Sequence, residues 1–258
     1  MPPKKSSGSS SSSPAKQQQQ QHQPRGKKGG SSGSGCGCKC GSGFGKLLAV
    51  LAVVVAIFAP VVYMLEQKLD QFYQFDLEHL SGLAERSVKT HGNDTRAMVD
   101  YIVSELSGMH PNTINLDEEW VFNNAGGAMG GMYVIHASIT EYLIIFGTSV
   151  GTEGHTGRHT ADDYFHILTG EQWAYTPGSF EREVYPAGSI HHLRRGDVKQ
   201  YKMPEGCFAM EYARGWIPPM LFFGFADGLS STLDFPTLWR TTVVTGRQMI
   251  SNLLIGKF

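Results

Sequence analysis

Beyond residue 46 the chain has a single cysteine, Cys207; the other three sit together at Cys36, Cys38 and Cys40. A disulfide within the body is therefore excluded, whatever the compartment. The first 46 residues contain no aspartate or glutamate, yet hold Lys4, Lys5, Lys16, Arg25, Lys27, Lys28, Lys39 and Lys46. The rest of the chain keeps 14 of the 22 basic side chains against all 23 acidic ones. A basic tail joined to an acidic body argues against nucleic acid as the body's partner. No Gly-x-Ser-x-Gly, P-loop or dinucleotide fingerprint occurs. The glycines from Gly126 to Gly131 lack the context of a phosphate loop, and tight backbone approach is the simpler reading. Residues 1–43 are also poor in apolar side chains. Such a run of Ser, Gly, Gln, Pro and Lys cannot bury enough surface to offset chain entropy, so disorder is expected. Its Cys-x-Cys-x-Cys cluster lacks both the spacing and the partner pair of a zinc site, and suits either palmitoylation beside a membrane or unmodified thiols.

The polar tail gives way to an apolar stretch. Leu47 to Leu65 is a run of nineteen residues without a charge, about 28 Å long as a helix and close to the thickness of bilayer hydrocarbon. The run is too long and too far from the N-terminus for a cleaved signal peptide. Lys39 and Lys46 precede it, and Glu66, Lys68 and Asp70 come after it. The positive-inside bias then puts the N-terminus in the cytosol and the body across the membrane. We expect a transmembrane helix over 44–66.

Over 67–119 a helical segment is expected. Leu69, Phe72, Tyr73, Leu77, Leu80, Leu83, Ala84 and Val88 recur at three- and four-residue steps, and Gly92 stops the pattern. Asn93 or Asp94 then caps a second helix carrying Met98, Ile102 and Leu106. From Trp120 the texture changes to short apolar runs parted by Gly, Pro and Asp: 132–136, 139–146, 172–175, 183–185, 189–193, 198–203 and 207–214. Such spacing predicts a small β-barrel or jelly roll over 120–216. Beyond Pro218-Pro219, Met220–Leu229 and a helix capped by Asp234 complete the chain over 217–258. These read as core helices or as an in-plane, membrane-facing pair. The fold class is α+β.

One carboxylate stands out. In Cys207–Arg214, Glu211 shares a strand face with Ala209 and Ala213, while Phe208, Met210 and Tyr212 take the other. Neither face is a solvent face, so Glu211 points into an interior and must be paired, protonated or functional. His155, His159, His191, His192 and Glu211 are metal-ligand types, but the His-x-His pair followed closely by Glu is missing, so no metal is assigned. Paired acids offer metal-free proton chemistry instead, with Glu211, Asp162, Asp163 and Glu141 as candidates. Two acids in one apolar cavity cannot both ionise cheaply, so a proton donor and an acceptor coexist.

At these residues the chain resembles a known family. Val121–Gly127, His136-Ala137-Ser138, Glu141-Tyr142, Phe146-Gly147-Thr148, Gly154–Arg158, Tyr185-Pro186 and Met210–Gly215 are similar to the fungal sterol Δ8–Δ7 isomerase family, which also contains the sigma non-opioid receptor of animals. The resemblance covers nearly everything from the apolar helix onward. It implies one N-terminal membrane helix, a cupin-like barrel around an apolar ligand cavity, a C-terminal helix pair against the membrane, and a homotrimer in the endoplasmic reticulum. It also implies that Glu211 meets a ligand's cationic amine and that Tyr142 hydrogen-bonds that acid. The receptor has a second acid at the position of Phe165; this chain has Asp163 two residues earlier on the same strand face, and its Arg158–Phe165 wording resembles the enzymes.

The expected activity is therefore sterol Δ8-to-Δ7 isomerisation by Glu211 with Asp163 or Asp162. Tyr142, Glu141, Met132, Phe146, Phe165, His155, His192 and Leu221 are expected around the sterol. No redox or metal cofactor is required for a net proton shift. A non-catalytic binder of sterols or cationic amphiphiles is the alternative from another functional class.

Overall fold

The computed structural model describes residues 41–258; the tail and its cysteine cluster lie outside the described residues. The described residues divide into two units, one up to residue 55 and the other spanning 56–258. Helix α1 (Gly41–Glu66) supplies the described part of the first and the start of the second. From Gly45 it is long and apolar enough to cross a membrane, and its large apolar side chains from Leu47 to Leu65 are exposed.

The apolar periodicity after α1 is interrupted. Leu69–Phe72 forms one 3₁₀ turn, and Tyr73 is extended. Asp76 then caps α2 (Leu77–His91), its carboxylate accepting from His79 N. Gly92 ends α2 at φ 60°, where a side chain would be strained. Asp94 caps α3 (Thr95–Met109) through Ala97 N. Leu80, Leu83, Met98, Ile102 and Leu106 are wholly buried. At about 1.5–3 kcal/mol for each buried side chain, this packing outweighs the marginal stability of isolated fifteen-residue helices.

Ten strands complete the sheets: β1 (Trp120–Ala125), β2 (Ala128–Ala137), β3 (Glu141–Thr148), β4 (Thr152–His155), β5 (Ala161–Thr169), β6 (Glu171–Tyr175), β7 (Glu183–Pro186), β8 (Ile190–Leu193), β9 (Gln200–Met203) and β10 (Cys207–Gly215). Three of them, β1, β4 and β5, lie outside the seven runs expected from sequence. They form a six-stranded sheet in the order β1-β2-β3-β10-β5-β8 and a four-stranded sheet in the order β4-β9-β6-β7, with antiparallel pairing throughout. The β1–β2 turn needs its glycines. Gly126 and Gly127 both have positive φ, and a Cβ on Gly126 would lie 2.2 Å from the His155 carbonyl oxygen.

The six-stranded sheet is covered on both faces, which explains why β10 shows no solvent face in its sequence. Met210 and Tyr212 join Tyr133, Ile135, Leu143, Ile145 and Tyr164 in one core with α2 and α3. Ala209 and Ala213 join Met132, Ile144, Phe146 and Phe165 in the other. That second core also receives α4 (Ile217–Asp227) and α5 (Phe235–Leu254), which are joined by a π-helical turn. Asp234 caps α5 through Thr237 N, with Pro236 in the first turn. Glu66, at the end of α1, accepts hydrogen bonds from Arg195 and from Trp216 Nε1 just beyond β10.

Candidate active site

Strand register sets the site. Glu211 on β10 lies between Ile144 on β3 and Phe165 on β5, while Asp163 on β5 and Tyr142 on β3 flank Ala213. All six side chains therefore rise from one face of the sheet, with Asp163 the diagonal neighbour of Glu211 on adjacent strands. That spacing is within reach of two acidic side chains. They open into a cavity of about 590 Å³ between the sheet, the four-stranded sheet and the α4–α5 segment. Met132, Phe146, His155 and Leu221 line it as well, so the structure brings eight of the expected residues together there. The small area that Glu211 leaves uncovered faces this cavity.

The two carboxyls are close enough to shift each other's proton affinity. Among the described residues, Asp163 Oδ1 has no amide or hydroxyl donor, although Asp163 is 1% exposed. Loss of hydration raises both acids above the usual carboxylate range. Asp163 is pushed up to about 7. Glu211 is held well above the carboxylate range, first by burial and then by the negative charge of Asp163. Two like charges this close in an apolar cavity cannot both persist, so the pair retains a proton near neutrality, with Glu211 the more reluctant to lose it. One acid and one base thus stand side by side.

Three expected site residues lie elsewhere. Asp162 precedes Asp163 by one residue, so alternation turns it to the opposite face, where it pairs with His192 Nε2 at 2.8 Å. The His192 ring stacks on Tyr164, 4.2 Å between centroids, and stays out of the cavity for the same reason. Glu141 is wholly buried on that opposite face. Its oxygens accept from Gln74 N, Phe75 N and Tyr212 Oη, and Lys257 Nζ lies 2.5 Å away. Glu141 ties elements together and lines nothing. Tyr142 reaches the cavity, but its hydroxyl meets Thr245 Oγ1 at 3.2 Å and Met132 Sδ at 3.6 Å rather than Glu211.

Sequence reasoning missed Tyr201, His159 and Thr245, all of which line the cavity. His159 Nε2 contacts the Thr156 carbonyl at 2.6 Å, and burial lowers its proton affinity. Tyr201 carries a signal that could have been read: an aromatic residue in a short alternating run, Gln200–Met203, on the sheet opposite Glu211. Thr245 carries none, because a threonine inside a helix has no distinguishing local pattern. Among the described residues, no group of three or more His, Cys, Asp or Glu is arranged to hold a metal ion.

The family described as "ERG2 and Sigma1 receptor like protein" matches residues 52–257. The chain belongs to this family. It is 72% identical over 213 residues to a protein of Pyricularia oryzae named C-8 sterol isomerase, covering 82% of this chain and 96% of that one. It is 73% identical over 212 residues to the C-8 sterol isomerase ERG2 of Gibberella zeae, covering 82% and 90%. The sigma non-opioid intracellular receptor 1 of Xenopus tropicalis is 41% identical over 182 residues, covering 69% and 80%. Among solved structures, an RmlC-like cupin of Shewanella frigidimarina gives a TM-score of 0.34 at 14% identity, covering 40% of this chain and 89% of that one.

Proposed function

We propose that this protein is a C-8 sterol isomerase of ergosterol-type sterol biosynthesis, moving the ring double bond from Δ8 to Δ7. The observation that carries the reading is the Glu211–Asp163 pair, one proton shared in an apolar cavity, in a chain so similar to proteins named for that reaction. The Glu211 carboxylic acid gives its proton to C9. The π electrons of the C8–C9 double bond form the new C–H bond and leave a tertiary cation at C8. The Asp163 carboxylate then removes a proton from C7, and that C–H electron pair becomes the C7–C8 double bond. The proton returns from Asp163 to Glu211, and the pair is reset. Both anions face the cation while it exists, inside a largely apolar cavity. Membranes carrying the protein, incubated with a Δ8 sterol, should accumulate the Δ7 isomer; a protein that binds the Δ8 sterol without converting it would refute the enzymatic reading.

The pH dependence is set by the directions of the two shifts. Below about 7 Asp163 takes up a proton, and the pair then has an acid but no base. Turnover should therefore rise as pH climbs through that value and fall only when Glu211, held higher still, loses its own proton. Asp163→Asn should abolish the acid limb together with most of the rate. A profile of kcat/KM that is flat from pH 5 to pH 8 would count against the pair as the proton machinery.

In this reading α1 spans the endoplasmic reticulum membrane once, with the tail cytosolic and the body lumenal. The two sheets close as a cupin-like barrel, and three copies assemble. The C-terminal helices lie against the lipid. Phe222, Phe235, Trp239, Val243 and Ile250 support that placement, since each is a large apolar side chain left exposed on α4 or α5. The cavity runs between those helices into the body, a suitable path for an apolar substrate. Protease added to sealed microsomes should spare the body and remove the tail. Digestion of the body from outside would invert the topology.

A further inference from the structure

Within the isomerase reading, on which the inference rests, we propose that Tyr201 recognises the substrate's ring hydroxyl and so sets which sterol carbons meet the acid pair. Tyr201 stands on β9, in the sheet facing Glu211 and Asp163, and lines the same cavity. Its cross-strand neighbours are Gly154 and Ala174, the two smallest residue types. Its ring is therefore the one large group among these three paired positions on adjacent strands.

The hydroxyl has no hydrogen-bond partner among the described residues, and burial raises its pKa, with further raising by the charges of Glu211 and Asp163. Tyr201 is half-buried and lines the cavity, whereas the hydroxyl of the buried Tyr142 is already taken up by Thr245. The Tyr201 hydroxyl thus stands unused in the cavity, near enough to feel the carboxyls and not bonded to them. A Δ8 sterol needs a polar contact away from the acids, because its hydroxyl sits on ring A while the carbons that gain and lose protons belong to the adjoining ring B. A group that touched the acids could not also hold the hydroxyl. Anchoring that hydroxyl fixes the distance along the ring system at which Glu211 and Asp163 act.

The test compares a Δ8 sterol with its 3-deoxy counterpart, in wild-type protein and in Tyr201→Phe. Wild type should prefer the hydroxylated sterol in kcat/KM by roughly tenfold, the worth of one ordinary hydrogen bond. Tyr201→Phe should lose that factor on the hydroxylated sterol alone, bringing the two substrates level. A structural role would lower both together. Wild type that converts both equally would overturn the proposal, as would Tyr201→Phe that keeps the preference; Asn123 and Asn124, which also line the cavity, would then be the next partners to examine. If wild type converts neither sterol, it is the isomerase reading that fails. Equilibrium binding of the same two sterols then tests Tyr201 by itself: loss of the preference in Tyr201→Phe supports the assignment, and its retention overturns it.

Discussion

Glu211→Gln is expected to lower Δ8-to-Δ7 turnover by roughly two to four orders of magnitude, the usual worth of a general acid–base group, and to leave the protein folded. The amide keeps the size of the side chain and can donate to Asp163, but it has no proton to give an alkene. Burial favours the neutral form at this position, so replacing it by a neutral amide carries little penalty. Asp163→Asn should cost a similar factor, since it removes the base. Asp162→Asn is the informative control. It is one residue away and chemically the same change, but its side chain faces His192 on the far side of the sheet, and turnover should stay near wild type. A well-folded Glu211→Gln protein that converts the Δ8 sterol at the normal rate would remove Glu211 from the mechanism. A protein that binds cationic amines through Glu211, with no turnover to lose, would be a receptor rather than an enzyme.

The same contrast shows how much of the site was legible. Glu211 could be placed because β10 alternates and neither of its faces is polar. Asp163 came from the family resemblance, which implies an acid at the position of Phe165, by counting two residues back along the strand. The period of two that any extended chain obeys supplied only the shared face. Asp162 and Asp163 could not be separated in advance, because choosing between adjacent residues requires knowing which face of β5 is inward. That depends on register with β10, a property of a strand more than forty residues away. Glu141 was misplaced for a related reason. All eight residues of β3 are buried, so its sequence carries no face information that could separate Glu141 from the cavity-lining acids.

Helix caps were readable at Asp94 and Asp234, which act on amides three residues ahead, whereas Asp76, which does the same for α2, was hidden inside an apolar periodicity that began before it. The packing partners of α2 and α3 were not readable. Their apolar stripes say that a face is buried, and only the sheet's second buried face says against what. Strands β1 and β4 escaped notice where glycines and polar residues broke the apolar runs, although their backbones pair in regular register.

Glu141→Gln should destabilise the fold by about 3–5 kcal/mol, the cost of stranding one partner of a buried ion pair. The carboxylate is wholly enclosed and uses both oxygens. Oε1 accepts from Phe75 N at 3.0 Å and Tyr212 Oη at 2.7 Å, and Oε2 from Gln74 N at 2.7 Å, with Lys257 Nζ 2.5 Å away. Four donors converge on two oxygens, and the amide of glutamine offers one oxygen and two further donors. The ammonium of Lys257, 12% exposed, would keep its carbonyl contacts to Phe72 and Phe258 but lose its counter-charge. The segment entering α2, the middle of β10 and the residues after α5 would loosen together. Such a loss is a large share of a typical folding free energy of about 5–15 kcal/mol. Adding Lys257→Met should restore part of it by removing the stranded charge, which separates an electrostatic cause from a packing one. The measurement is the thermal unfolding midpoint of detergent-solubilised protein for wild type, Glu141→Gln and the double variant. An unchanged midpoint for Glu141→Gln would mean that this junction contributes nothing to holding the sheet to its helices.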